Sequence, residues 1–194
     1  MDTSVAKRAL RSELIARRAQ LAPSERAQKS RAVADRIEEL APFREARVVA
    51  LYVAIGAEVD ASEIALRAAA RGVRIGFPRG SGVDRGLRFA SCAAADLVRG
   101  PLSVPEPPAG ASEIDPREIE CVVMPGVGFS EDGFRLGRGG GFYDATLPLL
   151  ARAVRVGLAF DVQIVPTIPH DAHDAPLDAV VTESRVLAFR RDSR

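Results

Sequence analysis

The stretch "RLGRGGGFYD", residues 135–144, sets Arg135 and Arg138, four glycines, the aromatic pair Phe142–Tyr143 and Asp144 side by side. Seven of the sixteen glycines fall between Gly126 and Gly141. Such a backbone suits an anion, because without Cβ atoms it can approach closely and its N–H groups are free to converge. Arg135 and Arg138 can clamp phosphate oxygens with paired hydrogen bonds. A helix starting just after the loop would add the positive end of its dipole. Asp144, at that helix start, has the chemistry to hold Mg²⁺, which takes one or two carboxylates together with phosphates and waters. The same residues also suit a structural turn and a plain helix-start carboxylate. Standard phosphate motifs are missing: there is no G-x-x-x-x-G-K-[ST], and neither Gly126-x-Gly128 nor Gly139 continues as G-x-G-x-x-G.

The surrounding elements must hold this loop in place. Leu10, Leu14 and Leu21 recur at helical spacing over residues 4–21, and Val33, Ile37 and Leu40 mark one face of a second helix with Ser24 as its N-cap. "ARVVALYVAI" (46–55) reads as a buried strand, followed by a helix capped by Asp60 or Ser62 and ended by Gly72. "VRIGF" (73–77) and "LRF" (87–89) are short strands; residues 99–118, with five prolines, read as a surface connection. "CVVMP" (121–125) is a strand feeding the glycine loop, and Tyr143 to Ala153 a helix despite Pro148. "VRVGLAF", "AVV" and "VLAF" complete the strands at 154–160, 179–181 and 186–189. Helices alternating with apolar strands predict an α/β fold: one open, mostly parallel sheet with helices on both faces, Rossmann-like and three-layered, with an N-terminal helical pair packed on it. The expectation is a single domain over 1–194, with helices in 1–41 and the sheet core in 42–194 around a phosphate loop at 126–141.

Composition narrows the function classes. Hydrophobic residues make up 47% and charged residues 27%, as in an ordinary soluble protein, and a net charge of +1 gives no support to nucleic-acid binding. Cys92 and Cys121 suit a reduced compartment, Cys121 as core rather than nucleophile. With no signal-like stretch at the N-terminus and no long apolar span, the expectation is a cytoplasmic protein with no membrane or nucleic-acid partner, acting as a monomer.

"MPGVGFSEDGFRLGRGGGFYD" resembles the signature of the 5-formyltetrahydrofolate cyclo-ligase (methenyltetrahydrofolate synthetase) family, P-G-x-[AG]-F-D-x-x-G-x-R-L-G-x-G-x-G-[YF]-Y-D. "KRALR" (7–11) resembles the family's N-terminal K-x-x-L-R, "GAEVD" (56–60) its acidic segment, and "GLAFDVQIVPTIPHDAHDAPLDAVVTE" its C-terminal block, while 80–118 is the weakest part. Ser130 stands where the family usually has Asp, Arg138 and Ala145 where many bacterial members have Tyr and Arg, and Phe142 replaces a Tyr.

The resemblance implies an enzyme that uses ATP and Mg²⁺ to convert 5-formyltetrahydrofolate, a small molecule that can be polyglutamylated, to 5,10-methenyltetrahydrofolate with release of ADP and phosphate. It places the nucleotide on Lys7, Arg8, Ala9, Leu10 and Arg11 and on Arg135, Leu136, Gly137, Arg138, Gly139, Gly140, Gly141, Phe142 and Tyr143, with Lys7 and Arg138 in catalytic roles. It places the folate on Val53, Glu58 and the run Arg138 to Phe142, and the metal on Asp144 and Asp174. Tyr52 and Phe142 offer flat walls for a ring, or belong to the core. His170 and His173, in "HDAHD", are loop residues in preference to zinc ligands. Two other readings stand beside the ligase: a module that binds nucleotide or folate without turnover, suggested by Ser130, and a related ATP-dependent enzyme acting on another formamide.

Overall fold

The chain alternates short helices with short strands, in a computed structural model that describes residues 3–80, 86–100, 104–171 and 174–189. The helices are α1 (Thr3–Ala19), α2 (Pro23–Ile37), α3 (Ala41–Glu45), α4 (Ser62–Ala70) and α5 (Phe142–Thr146). The strands in chain order are β1 (Val48–Leu51), β2 (Arg74–Gly80), β3 (Leu87–Ser91), β4 (Val98–Arg99), β5 (Pro105–Glu106), β6 (Ser112–Ile114), β7 (Cys121–Met124), β8 (Gly128–Ser130), β9 (Arg135–Leu136), β10 (Val154–Leu158), β11 (Ile164–Val165), β12 (Ala179–Val181) and β13 (Val186–Ala188). Eight of them form one sheet in the order β13-β12-β10-β7-β1-β2-β3-β6. The run from β12 to β2 is parallel, and β13, β3 and β6 add antiparallel edges. This is the expected open, mostly parallel sheet.

Its two faces follow from the period-two alternation of strands buried on both sides. Val49 and Leu51 of β1, Cys121 and Val123 of β7, and Val156 and Leu158 of β10 point to one face, where Val33, Ala34 and Ile37 of α2 and Ile64 and Ala68 of α4 cover them. Ala50, Val122, Met124 and Val180 point to the other, where Leu147, Leu150, Phe129 and Leu177 close the core. The two N-terminal helices part company: α2 lies on the large sheet, whereas Leu14 of α1 packs with Val127, Leu136, Val165 and Ile168 around a second, three-stranded sheet of order β11-β8-β9. That small sheet is the frame of the glycine loop.

Several local expectations are corrected. The α2 N-cap is Ala22, not Ser24: Pro23, whose fixed φ suits the first helical position, starts the helix two residues earlier. The helix expected from Tyr143 to Ala153 is cut at Thr146 and continues only as a 3₁₀ turn over Leu147–Leu150, because Pro148 has no N–H to donate. The dipole of a long helix is therefore absent behind the loop. The strand expected over 46–55 stops at Leu51. The surface connection at 99–118 holds the β4–β5 hairpin and contributes β6 to the edge of the large sheet.

Phe129 ties the small sheet to the large one. Its buried ring presses on Gly157 of β10, where an added Cβ would lie 2.4 Å from the ring and 3.1 Å from Leu177. Neither neighbour is free to move. Gly157→Ala is therefore expected to cost about 1–3 kcal/mol of stability through overpacking, read as a lower urea midpoint with an unchanged slope. An unshifted midpoint would show that the Phe129 seat has room to spare.

Candidate active site

A cleft of about 390 Å³ opens beyond the C-terminal ends of β1 and β7, where ligands gather in open α/β sheets. It collects residues from both ends of the chain: Lys7 and Arg11 of α1, Val53 and Glu58 after β1, Arg135 to Asp144 of the glycine loop, and Asp174. Arg8, Ala9 and Leu10 do not line it; Arg8 and Ala9 are exposed, and Leu10 packs against the Leu14 cluster. The helix spacing explains the split, since Lys7 and Arg11 are one turn apart on a single face.

The loop is positioned from beneath. Arg18, buried to 5% exposure, donates from Nη1 to the Gly126 carbonyl at 3.2 Å. Gln163 Nε2 donates to the carbonyls of Gly126 at 2.9 Å and Val127 at 3.1 Å. Burial pulls the Arg18 guanidinium down from its ordinary range, with the nearby Glu58 opposing the shift and Arg138 adding to it. Neither Arg18 nor Gln163 was expected at the site. Above them the chain needs left-handed backbone at Gly139 (φ 98°) and at Gly141 (φ 71°), the N-cap of α5.

Each cation of the cleft already has a protein partner. Lys7 Nζ lies 2.6 Å from Asp174 Oδ2 and 3.9 Å from Asp171 Oδ2. Arg135 Nη2 lies 2.9 Å from Asp144 Oδ1, with its guanidinium 5.3 Å from the centre of the Tyr143 ring. Arg138 contacts Glu58 Oε1 through Nε at 3.0 Å and Nη2 at 2.9 Å, and donates to the Ile55 carbonyl at 3.1 Å. Arg11 Nε donates to the Gly137 carbonyl at 2.8 Å.

Glu58 is held by the turn that ends β1. Its Oε2 accepts from the Ile55 N–H at 2.9 Å, and the Tyr52 hydroxyl donates to the Val59 carbonyl at 2.6 Å. These bonds draw residues 52–59 out of the sheet and explain why the strand is shorter than the apolar run. Tyr52 is both core and cleft wall, and burial pushes its hydroxyl well up from its usual range. Asp174 feels burial, which raises its carboxyl, but the Lys7 ammonium and the Asp171 N–H outweigh it and leave it below the usual carboxylate range.

Ser130 lies outside the cleft, fully buried in the β8–β9 turn. Its hydroxyl donates to Asp132 and accepts from the Phe134 N–H at 3.0 Å. The bond from the Phe134 N–H is one that an aspartate could also accept, whereas the one donated to Asp132 needs the hydroxyl. His170 stacks on Phe134 with ring centroids 3.6 Å apart, and its Nδ1 lies 2.9 Å from the Ile168 carbonyl, so it is a loop anchor. His173 lies outside the described residues. Among the described residues no group of three or more His, Cys, Asp or Glu is arranged to hold a metal. Cys121 is fully buried in β7, which pushes its thiol up to about 12.

Open α/β sheets take small-molecule ligands at their strand ends, and the glycine-lined cleft there carries four basic and four acidic side chains. The sequence agrees, and more narrowly: residues 3–183 match the model of the 5-formyltetrahydrofolate cyclo-ligase family, and the chain belongs to that family, one of ligase enzymes. It is 32% identical over 175 residues to the 5-formyltetrahydrofolate cyclo-ligase of Escherichia coli K12, covering 88% of this chain and 96% of the relative. The mouse enzyme of the same name is 29% identical over 194 residues, covering 92% and 94%. Among solved structures, a 5,10-methenyltetrahydrofolate synthetase of Aquifex aeolicus superposes with a TM-score of 0.82 at 30% identity, covering 97% of this chain and 95% of that one. One from Mycoplasma pneumoniae gives 0.75 at 25% identity, covering 94% and 99%.

Proposed function

We propose that this chain converts 5-formyltetrahydrofolate to 5,10-methenyltetrahydrofolate with consumption of ATP. The observation that carries the reading is the convergence in one cleft of Lys7, Arg11, Arg135, Arg138 and Glu58, three stretches far apart in sequence that the family resemblance singled out independently. The reaction needs positioning more than a nucleophile of the protein. The formamide carbon at N5 is a poor electrophile because the nitrogen lone pair is delocalised onto oxygen. Transfer of the γ-phosphoryl group to the formyl oxygen breaks the bond to ADP and leaves the formyl oxygen on a good leaving group. N10 then attacks that carbon and gives up its proton. The C–O bond breaks, phosphate departs, and the five-membered ring closes.

The chain's own groups serve this by charge and geometry. Lys7, Arg11, Arg135 and Arg138 neutralise phosphate oxygens, and the N–H groups of Gly139, Gly140 and Gly141 lie beside them for further contacts. Glu58 orients Arg138, and Val53 and Tyr52 wall the folate. An Mg²⁺ ion fits Asp144 and Asp174: both carboxylates line the cleft and present oxygen donors only, as the ion prefers when phosphates and waters complete its shell. When bound, it would add positive charge to the phosphate oxygens. Lys7 and Arg135 would then exchange carboxylate partners for phosphate.

Ser130 contacts Asp132 and Phe134 and does not line the cleft, so it lends a module without turnover no support. We further place the protein in the cytoplasm as a monomer; no helix among the described residues is long and apolar enough to cross a membrane. The test is direct. Purified protein with ATP, Mg²⁺ and 5-formyltetrahydrofolate should develop the near-ultraviolet absorbance of the methenyl product and release one ADP per turnover. ATP hydrolysis without that absorbance would point to another formamide as substrate.

A further inference from the structure

We infer that Glu106 is a substrate-recognition residue, whose carboxylate accepts hydrogen bonds from the amino-amide edge of the folate's pteridine ring. The inference rests on the folate reading above. Glu106 belongs to β5, in the part of the chain least like the family, and it lines the cleft on the side of β2 and β3. Its neighbours there are Pro78, Gly80, Leu87 and Val104, an apolar surround unlike the cationic end built by α1 and the glycine loop.

Among the described residues its carboxylate has no hydrogen-bond or ion-pair partner. Glu58 differs: one oxygen is taken by Arg138 and the other by the Ile55 N–H. The other two acids of the cleft are paired as well, Asp144 with Arg135 and Asp174 with Lys7. Glu106 is thus the one described acid of the cleft with both oxygens open to a ligand.

Gly100 makes room for it, and Gly80 lies in ordinary contact. A Cβ on Gly100 would lie 2.6 Å from the carboxyl carbon of Glu106, and a Cβ on Gly80 would lie 3.9 Å from its Oε1. The loop is closed by the Gly100 N–H donating to the Val104 carbonyl at 2.8 Å, which fixes the hairpin that carries the side chain. Glu106 is half-buried, and a ligand with N–H donors would replace the water its carboxylate gives up on binding.

The chemistry selects the donor. The reduced pteridine of a folate has a cyclic guanidine edge, in which the ring N3–H and the 2-amino N–H point the same way. Such an edge meets a carboxylate through two parallel hydrogen bonds, as a guanidinium does. ATP offers no such edge, because the adenine 6-amino group is flanked by ring nitrogens that only accept, so a carboxylate cannot be met by two parallel donors. The residue therefore selects the folate and leaves the nucleotide untouched.

The experiment is calorimetric titration of wild type and Glu106→Gln with 5-formyltetrahydrofolate, with its analogue lacking the 2-amino group, and with MgATP. The wild type should prefer the natural compound over the analogue. Glu106→Gln should weaken 5-formyltetrahydrofolate about ten- to a hundredfold and erase that preference, the loss expected when a charged acceptor of two hydrogen bonds is removed. The MgATP titration should superpose on that of wild type, which also shows that the variant is folded. Glu106→Asp should fall between the two. A Glu106→Gln protein that binds 5-formyltetrahydrofolate within twofold of wild type, or keeps the preference, overturns the inference while wild-type turnover keeps the functional reading intact. Failure of the wild type itself to bind 5-formyltetrahydrofolate would overturn both.

Discussion

Arg138→Ala should lower turnover by about a thousandfold or more while the protein stays folded. The guanidinium is half exposed and faces the cleft, so its removal opens no cavity in the core. On the proposed reading it removes positive charge beside the transferring phosphoryl group, and a single arginine in such a position contributes a factor of about 10³–10⁵ in comparable reactions. A smaller structural effect comes with it. Glu58, only 5% exposed in its side chain, loses the partner of one oxygen and keeps the Ile55 N–H on the other. That should cost about 1–2 kcal/mol, since the lost partner was itself open to solvent. Arg138→Lys should restore stability more than turnover, because an ammonium keeps the ion pair and loses the two-pronged contact. Comparison of kcat for the two variants with their thermal midpoints checks this; near-normal kcat in Arg138→Ala would leave the loop a structural turn.

Lys7→Ala should raise the KM for ATP about ten- to a hundredfold and reduce kcat as well. The residue stands on a helix whose Arg8, Glu13 and Arg17 are exposed, yet its side chain is only 15% exposed and is turned inward onto Asp174, across 167 residues of sequence. Its loss also frees Asp174. The Lys7 ammonium now holds that carboxyl below its ordinary range, so in Lys7→Ala the carboxyl should titrate at a higher pH. The sign follows from linkage: a carboxylate with a depressed folded-state pKa adds stability above its unfolded value, near 3.8, and loses it as pH falls through the lower folded value. Wild type should therefore lose this contribution only in acid, and Lys7→Ala should lack it at neutral pH. Initial rates against ATP concentration, with a melting series between pH 3 and 7, measure both. Unchanged ATP dependence would remove Lys7 from the nucleotide site.

Much of this arrangement was legible in the residues, for definite reasons. Strands β1, β7, β10 and β12 are buried on both faces, and such strands read as continuous β-branched runs. The loop was visible because glycines and arginines crowd into so short a stretch. Ser24 misled because a good capping residue lay one step inside a helix that proline had already started. The two- and three-residue strands β8, β9 and β11 have too few residues to show a period. Arg18 reads as one more helix-surface arginine, and only the packing of α1 over the small sheet shows that it supports Gly126 from below. Glu106 sits in a proline-rich connection without periodicity, and that it meets no partner among the described residues is a property of the fold. Pairs such as Lys7–Asp174 and Glu58–Arg138 join segments whose separation hides them in the sequence.

The central claim is that the guanidinium groups and glycine amides after β7 hold the nucleotide's phosphates. It is tested most directly by a crystal structure grown with Mg²⁺ and a non-hydrolysable ATP analogue. The account predicts the terminal phosphates among Lys7, Arg135, Arg138 and the Gly139–Gly141 backbone, with Arg135 drawn off Asp144. Phosphates bound elsewhere, or an empty cleft with Arg135 and Arg138 still fastened to Asp144 and Glu58, would contradict it.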